Sequence, residues 1–259
     1  MNDHPAFAPP RSPSPEDCWF YHAFDLPNVG EVGWEWDLRD GIDAYLGGVE
    51  LGGSRVLEIG PANGFVTFEL ERRGADVLAV DLPEATPVDF IPLAGLDAEW
   101  IKRESNDFTR RLRNGFWFAH RSLGSNAKVF EGRVTDLPAD VGEFDVAFLG
   151  AVLLHVRDAL GMLYACAARV RSTLVVAERA FPDLLSEQLP SCRLACREND
   201  PWLRHNFWEF SPAFFTNALG VIGFTLFELS LHEQRHRSGM IPFFTLVAQR
   251  EEPGSPVDG

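Results

Sequence analysis

Lysine is nearly missing from this sequence: of 23 basic residues, only Lys102 and Lys128 are lysines. That bias reads as a coding preference, not a functional signal. Cysteine is scarce as well. Cys18, Cys166, Cys192 and Cys196 are too few for a disulfide scaffold of the secreted kind. Cys192 and Cys196, in CRLAC, have no second pair of zinc-type ligands, so no metal site is expected. No apolar run approaches the ~20 residues of a membrane span. The opening MNDHPAFAPPRSPSPEDC has neither the basic start nor the apolar stretch of a signal peptide, so a cytoplasmic protein with no membrane association is expected. Positive charge is in short supply. A net charge of -15 argues against broad attraction to nucleic acid or an anionic membrane, while leaving room for a local basic patch.

What is present is enough to build a substantial core. The chain has 259 residues, 46% of them hydrophobic. Residues 1–16 are rich in Pro and Ser and are expected to form a disordered leader, as are residues 251–259 at the other end. Between them, residues 17–250 are expected to form one domain whose first part, 17–50, is an aromatic N-terminal extension. Strand and helix patterns alternate within it. SRVLEIG (54–60), ADVLAVD (75–81), AKVFEG (127–132), EFDVAFLG (143–150) and STLVVAE (172–178) read as strands. FVTFELERRG (65–74), a long segment from Asp97 to Leu123, part of AVLLHVRDALGMLYACAARV and SPAFFTNALGVIG read as helices. FTLFELSLH (224–232) and MIPFFTLVAQR (240–250) read as a closing antiparallel hairpin at the sheet edge. The expected class is α/β, a mostly parallel sheet with helices on both faces.

The densest signal runs Val56-Leu57-Glu58-Ile59-Gly60-Pro61-Ala62-Asn63-Gly64-Phe65: an apolar strand, a turn with two glycines four apart, then a helix. Small residues let a ligand approach the backbone, and the helix presents free N–H groups. Asp81 ends the next strand, 21 residues after Gly60, where its carboxylate can accept from both hydroxyls of a ribose. A dinucleotide turn would need G-x-G-x-x-G, but Ala62 holds the second glycine position, and no Walker lysine follows. The pattern favours a nucleoside ligand without pyrophosphate.

VLEIGPANGF, LAVDLP and EFDVAFLGAVLLHVRD resemble, over residues 54–180, three motifs of the class I S-adenosylmethionine-dependent methyltransferases. The resemblance implies their Rossmann-like seven-stranded sheet and S-adenosylmethionine as methyl donor. It places Glu58, Gly60, Pro61, Asn63 and Gly64 around the amino-acid and sulfonium end of the donor, Asp81 on its ribose and Leu82 on its adenine. Val134, Thr135 and Asp136 would complete the adenine contact, and Gly150 and Ala151 the floor beneath the sulfonium. CWFYHAFDLPNVGEVGWEWDLR and FWFAHRSLGSNAKVFEGRVTDLP further resemble a bacterial subgroup similar to the wobble-uridine oxyacetate-forming tRNA enzymes. Members of that subgroup often carry tyrosine where this chain has Thr135.

An oxygen or nitrogen acceptor needs a group to receive its proton. His205, in RHNFWEF after the fifth strand, is the leading candidate base. His155, at the end of AVLLH, serves either as base or as a structural histidine closing the donor pocket, and His22 lies in a possible lid. Tyr21, Trp36, Arg39, Trp208 and Glu209 are candidate acceptor contacts. Lys102, Arg103, Arg110, Arg111, Arg113 and Arg121 make a basic stretch that is either a solvated helix face or a site for an anionic substrate, a carboxylated donor or RNA phosphate. The expected function is methyl transfer from S-adenosylmethionine to a small-molecule acceptor, on oxygen. A tRNA-modifying enzyme and a catalytically silent donor-binding subunit are the alternatives.

Overall fold

The apolar strands of the βα alternation assemble side by side because each must bury both faces. The computed structural model describes residues 4–251 apart from 85, 87, 93, 96, 187 and 198–203. A small hairpin, β1 (Phe24–Leu26) with β2 (Gly30–Val32), precedes β3 (Trp36–Asp37) and the short α1 (Ile42–Tyr45). Then come β4 (Arg55–Ile59), α2 (Phe65–Arg72), β5 (Asp76–Asp81), α3 (Ala98–Leu123), β6 (Lys128–Glu131), β7 (Phe144–Gly150), α4 (Ala159–Ala167) and β8 (Val170–Arg179). The chain continues through α5 (Pro182–Leu185), the antiparallel pair β9 (Cys192–Leu194) and β10 (Trp208–Phe210), α6 (Pro212–Gly220), β11 (Phe224–His236) and β12 (Gly239–Arg250).

The main sheet has the order β3-β11-β12-β8-β7-β4-β5-β6. Strands β4 to β8 pair in parallel, while β11 and β12 form the expected antiparallel hairpin. The expectation of seven strands with that hairpin outermost is corrected to eight. β11 runs four residues further than its sequence pattern suggested, and β3 pairs with this extra length, Asp37 opposite Arg235 and Trp36 opposite His236. An exposed strand edge leaves backbone groups without partners, and the N-terminal extension covers part of this one.

The same physics acts on the leader. Residues 4–16 were expected to be disordered, yet Phe7 bridges Phe130 of the edge strand β6 and the Ala8 N–H donates to the Val129 carbonyl at 2.8 Å. Arg11 then joins Glu84 at 3.3 Å to Glu131 at 2.5 Å. The composition of the segment is polar, but Phe7 gives it an apolar anchor on the core. Residues 252–259 of the expected tail lie outside the described residues.

Helix ends follow local chemistry. Asp97 caps α3 by accepting from the N–H groups of Glu99 at 2.9 Å and Trp100 at 3.3 Å, and Gly124, at φ 64°, ends it. Such a cap contributes about 1 kcal/mol. Ser211 caps α6 with Pro212 in its first turn. The helix read within AVLLHVRDALGMLYACAARV starts only at Ala159, because Asp158 caps it there and Leu153–His155 forms a separate turn. Two cores result. Leu57, Ile59, Leu78, Val80, Leu149 and Val176 pack against α4 and α6, while Val56, Val77, Ala79, Phe148 and Val175 pack against Tyr45, Phe65, Phe116 and Trp117. Each such side chain contributes about 1.5–3 kcal/mol by leaving water. Among the described residues, no helix is long and apolar enough to cross a membrane.

Candidate functional site

Side chains alternate between faces along a strand, so position within each strand decides what meets at the sheet's carboxyl edge. Val56 of β4, Val77 and Ala79 of β5, Val146 and Phe148 of β7 and Val175 and Ala177 of β8 all face α2 and α3. One more step of two along each strand gives Glu58, Asp81, Gly150 and Arg179. Three charged groups and a glycine therefore converge on one end of one face.

The turn after β4 holds this end open. Gly60 has φ 73° and its N–H donates to the Val80 carbonyl at 3.0 Å, tying the turn to β5. Gly64 has φ 89°, and a Cβ there would lie 2.5–2.8 Å from the rings of Phe68 and Phe116. Pro61 and Asn63 are buried between these glycines. Glu58 is 2% exposed and accepts from the Thr67 hydroxyl at 2.5 Å. Burial pushes its carboxyl up to about 8 despite that bond.

Asp81 accepts from the Leu82 N–H at 2.8 Å and lies 3.5 Å from Nε of Arg113. Burial raises its pKa; the nearby Arg113 and the Leu82 N–H act in the opposite sense. Arg113 is itself buried on α3, and none of its guanidinium nitrogens makes a hydrogen bond. The Gly132 N–H donates to the Asp81 carbonyl at 2.8 Å, which brings the turn Val134–Asp136 beside Asp81 and Leu82. Val134 is buried there, while Thr135 and Asp136 are exposed and bonded to each other at 3.2 Å. Gly150 and Ala151 end β7 across the cleft, Ala151 at φ 47° with its N–H on the Ala177 carbonyl at 2.7 Å.

The extension lies over the glycine turn. The Asn63 side chain accepts from the His22 N–H at 3.1 Å and from its Nδ1–H at 3.0 Å, and donates to the His22 carbonyl at 3.2 Å. The imidazole is thereby oriented with Nε2 as its lone-pair nitrogen. Burial pushes its pKa down to about 4, so it is neutral at neutral pH. Tyr21 is pushed up to about 12 by burial, with Glu35 adding to the shift and a Trp36 hydrogen bond opposing it.

Of the other expected site residues, several are committed to structure. In His205 the Nδ1–H donates to the Asp89 carbonyl at 3.1 Å and Nε2 accepts from the Ser105 hydroxyl at 3.1 Å. His155 donates from Nδ1 to the His205 carbonyl at 2.8 Å. Arg39 is caged by Asp37, Glu31 and Asp25, with contacts of 2.7, 2.9 and 3.3 Å. Trp36 packs on His236 and Phe243, and the Trp208 indole donates to the Val156 carbonyl at 3.0 Å. Glu209 is buried against Arg193. Half of the basic stretch of α3 is paired: Lys102 meets Glu99, Arg110 meets Asp107 and Arg113 meets Asp81, while Arg111 and Arg121 reach carbonyls of Cys18 and Pro13 at 3.5 Å.

Tyr45, Glu178 and Arg113 were not expected here. The Tyr45 hydroxyl stands where a Cβ on Gly150 would be only 2.8 Å away, and it lies within electrostatic reach of Glu178, Tyr21 and Glu58. Burial pushes its phenol well above the usual range. Glu178 is buried, accepts from the Leu153 N–H at 3.1 Å and is pushed up to about 8 by burial. Glu178 carried a signal in sequence, an acid ending an apolar strand; Arg113 was hidden in a basic run and Tyr45 in the extension.

The donor set suits an adenosyl amino acid: two carboxylates at adjacent strand ends, the buried Glu58 and the half-buried Asp81, flank a turn in which glycine adopts left-handed backbone. No protein-family model matches the sequence, and no curated protein is significantly similar to it. Solved structures do resemble the fold. The N-terminal domain of EvdMO1, crystallised in the presence of SAH and D-fucose, is 21% identical over 90% of this chain and 91% of its own, with a TM-score of 0.57. Magnesium protoporphyrin IX methyltransferase (ChlM) from Synechocystis PCC 6803, with bound SAH, is 16% identical over 82% of this chain and 81% of its own, with a TM-score of 0.52. An S-adenosylmethionine-dependent methyltransferase from Mesorhizobium loti is 17% identical over 82% of this chain and 97% of its own, with a TM-score of 0.50. The chain has the Rossmann-like α/β fold of the S-adenosylmethionine-dependent methyltransferases.

Proposed function

We propose that the protein transfers a methyl group from S-adenosylmethionine to an oxygen of a small-molecule acceptor. The observation that carries this reading is the meeting of Glu58, Asp81 and the Gly60–Gly64 turn at one end of one sheet face, beneath the Asn63–His22 contact. Asp81 would hold the ribose hydroxyls, Leu82 and Val134 the adenine, and Glu58, Gly60 and Asn63 the amino-acid end. Thr135 and Asp136 flank the adenine side, and Gly150 and Ala151 form the floor. When bound, the donor supplies an activated methyl group; the chain positions both partners and excludes water.

The proton an oxygen acceptor loses goes to Glu178. Its carboxyl borders a cavity at the end of β8, and burial pushes it up to about 8, so the ionised form that takes the proton gains population as pH rises toward 8. His22 and His155 then serve to pin the extension and the β7 turn. The small-molecule reading draws on the neighbours, since EvdMO1 was crystallised with D-fucose and ChlM acts on a porphyrin. It also draws on charge. The net charge of -15, with Lys102 and Arg110 of α3 paired to Glu99 and Asp107, disfavours the wobble-uridine tRNA alternative. Calorimetric titration with S-adenosylhomocysteine tests the donor. Micromolar binding is expected, and absence of binding by folded protein would remove the reading.

A further inference from the structure

Arg179 and Arg197 differ from the arginines of this chain that are held by carboxylates. Arg39, Arg72, Arg73, Arg110, Arg157, Arg171 and Arg193 each meet a carboxylate at 2.9 Å or less, or are tied to one by a still shorter contact. Among the described residues, neither Arg179 nor Arg197 forms an ion pair with a carboxylate, although Arg179 acts electrostatically on the adjacent Glu178. Both line one cavity of about 280 Å³ at the carboxyl end of β8. In a chain with a net charge of -15, two guanidiniums at one cavity, neither ion-paired among the described residues, favour a ligand that carries negative charge.

The rest of the cavity defines the shape of the visitor. Phe181, Trp208 and Phe210 supply apolar walls, and the Arg179 guanidinium lies over the Phe181 ring at 5.4 Å, which holds it in place. Its Nε is buried and makes no hydrogen bond. The acids of the cavity do not cancel the arginines. Glu209 is taken by Arg193, and Glu178, pushed up to about 8 by burial, is largely uncharged at neutral pH. The volume is at the lower end of ligand cavities, which run from about 300 Å³ upward, so it admits a single ring and little more. The cavity also adjoins the donor end. Gly150 pairs with Ala177 in register, and Glu178 and Arg179 are the next two residues of β8.

We infer that this cavity is the acceptor site and that the acceptor is a small ring-bearing carboxylic acid, its carboxylate held between Arg179 and Arg197 and its hydroxyl turned toward Glu178. A planar carboxylate matches the fork of a guanidinium, and the two charge-assisted contacts are worth more in a half-buried site than in water. This assignment rests on the methyltransferase reading and names its substrate class.

Two pairs of probes test it: para-hydroxybenzoate against para-hydroxybenzamide, and glucuronate against glucose, titrated into protein saturated with S-adenosylhomocysteine. Phenyl phosphate serves as a fifth probe. At least one acid is expected to bind roughly tenfold or more tightly than its neutral partner, with an affinity that falls as salt rises. Arg179→Gln and Arg197→Gln should each erase that preference, and Arg197→Gln should leave S-adenosylhomocysteine affinity unchanged. Arg197 is exposed, so its variant reads out even if Arg179→Gln fails to fold. Arg197→Lys should restore part of the preference. Equal binding of acids and neutral partners, binding of phenyl phosphate alone, or no acid binding at all would overturn the inference. Loss of S-adenosylhomocysteine binding by the unaltered protein would instead overturn the donor reading beneath it.

Discussion

The side-chain amide of Asn63 is zipped to His22: it accepts from the His22 N–H at 3.1 Å, accepts from its ring at 3.0 Å and donates to its carbonyl at 3.2 Å. Asn63 is completely buried, so its amide has no water to fall back on. Asn63→Ala leaves the polar groups of His22 unpaired and should destabilise the fold by about 1–3 kcal/mol. It should also loosen the extension locally. Hydrogen exchange over residues 19–23 is the measurement, and unchanged protection there would show that the contact does not hold the extension down.

Asp81→Ala removes the proposed ribose acceptor and leaves Arg113 buried without its counter-charge. Donor affinity should fall by roughly 2–4 kcal/mol, since two charge-assisted hydrogen bonds are lost. Arg113→Met should weaken binding less, because Asp81 stays in place and keeps the Leu82 N–H. Titration of both variants with S-adenosylhomocysteine decides the order; equal affinities for wild type and Asp81→Ala would take Asp81 out of the site.

Gly60→Ala carries two separable penalties. The left-handed backbone at φ 73° costs an L-residue about 1–2 kcal/mol, and the new Cβ meets Val152 at 2.9 Å. Adding Val152→Ala should relieve the contact and leave the backbone term. Donor binding should be lost in Gly60→Val while circular dichroism stays near native. Tight binding by that variant would mean the turn is only structural.

The buried acids predict a pH signature. Glu58 titrates near 4.5 when unfolded and at about 8 when folded, so between those values the unfolded chain has released a proton the native state retains. Stability contributed by the protonated form is complete below 4.5 and is lost as pH rises toward 8. His22, pushed down to about 4, works the other way: its contribution is present above its unfolded value and lost as pH falls. Thermal melts at pH ~5 and pH ~8 should therefore show a smaller loss for Glu58→Gln than for wild type. An identical loss in both would sink the assignment of Glu58.

Catalysis and architecture separate at Glu178, His155 and His205. Glu178→Gln should slow the chemical step by about 10²- to 10⁴-fold with donor affinity intact. His205→Ala should instead lower stability, because its ring ties Asp89 to Ser105. Single-turnover rates on an acceptor identified as above distinguish them. A full rate in Glu178→Gln with a collapse in His155→Ala would return the proton to the histidine.

What the sequence determined by itself was local. The strand-glycine-helix turn, the acid ending the second strand, the caps Asp97 and Ser211 and the central parallel strands each depend on residues close together in the chain. The proposed donor side draws on the same local pattern: Glu58, Gly60, Gly64 and Asp81 are set by strand parity and one turn. The acceptor side depends on segments far apart. Arg179 and Arg197 come together because β10 returns beside the end of β8, and His205 loses its lone pair to Ser105, a hundred residues away. The ordered leader and the eighth strand are of the same kind, since open backbone at β6 and β11 recruits chain whose own composition reads as polar. Local propensity carries no record of such partners; only the packed fold, by burying one segment against another, assigns them.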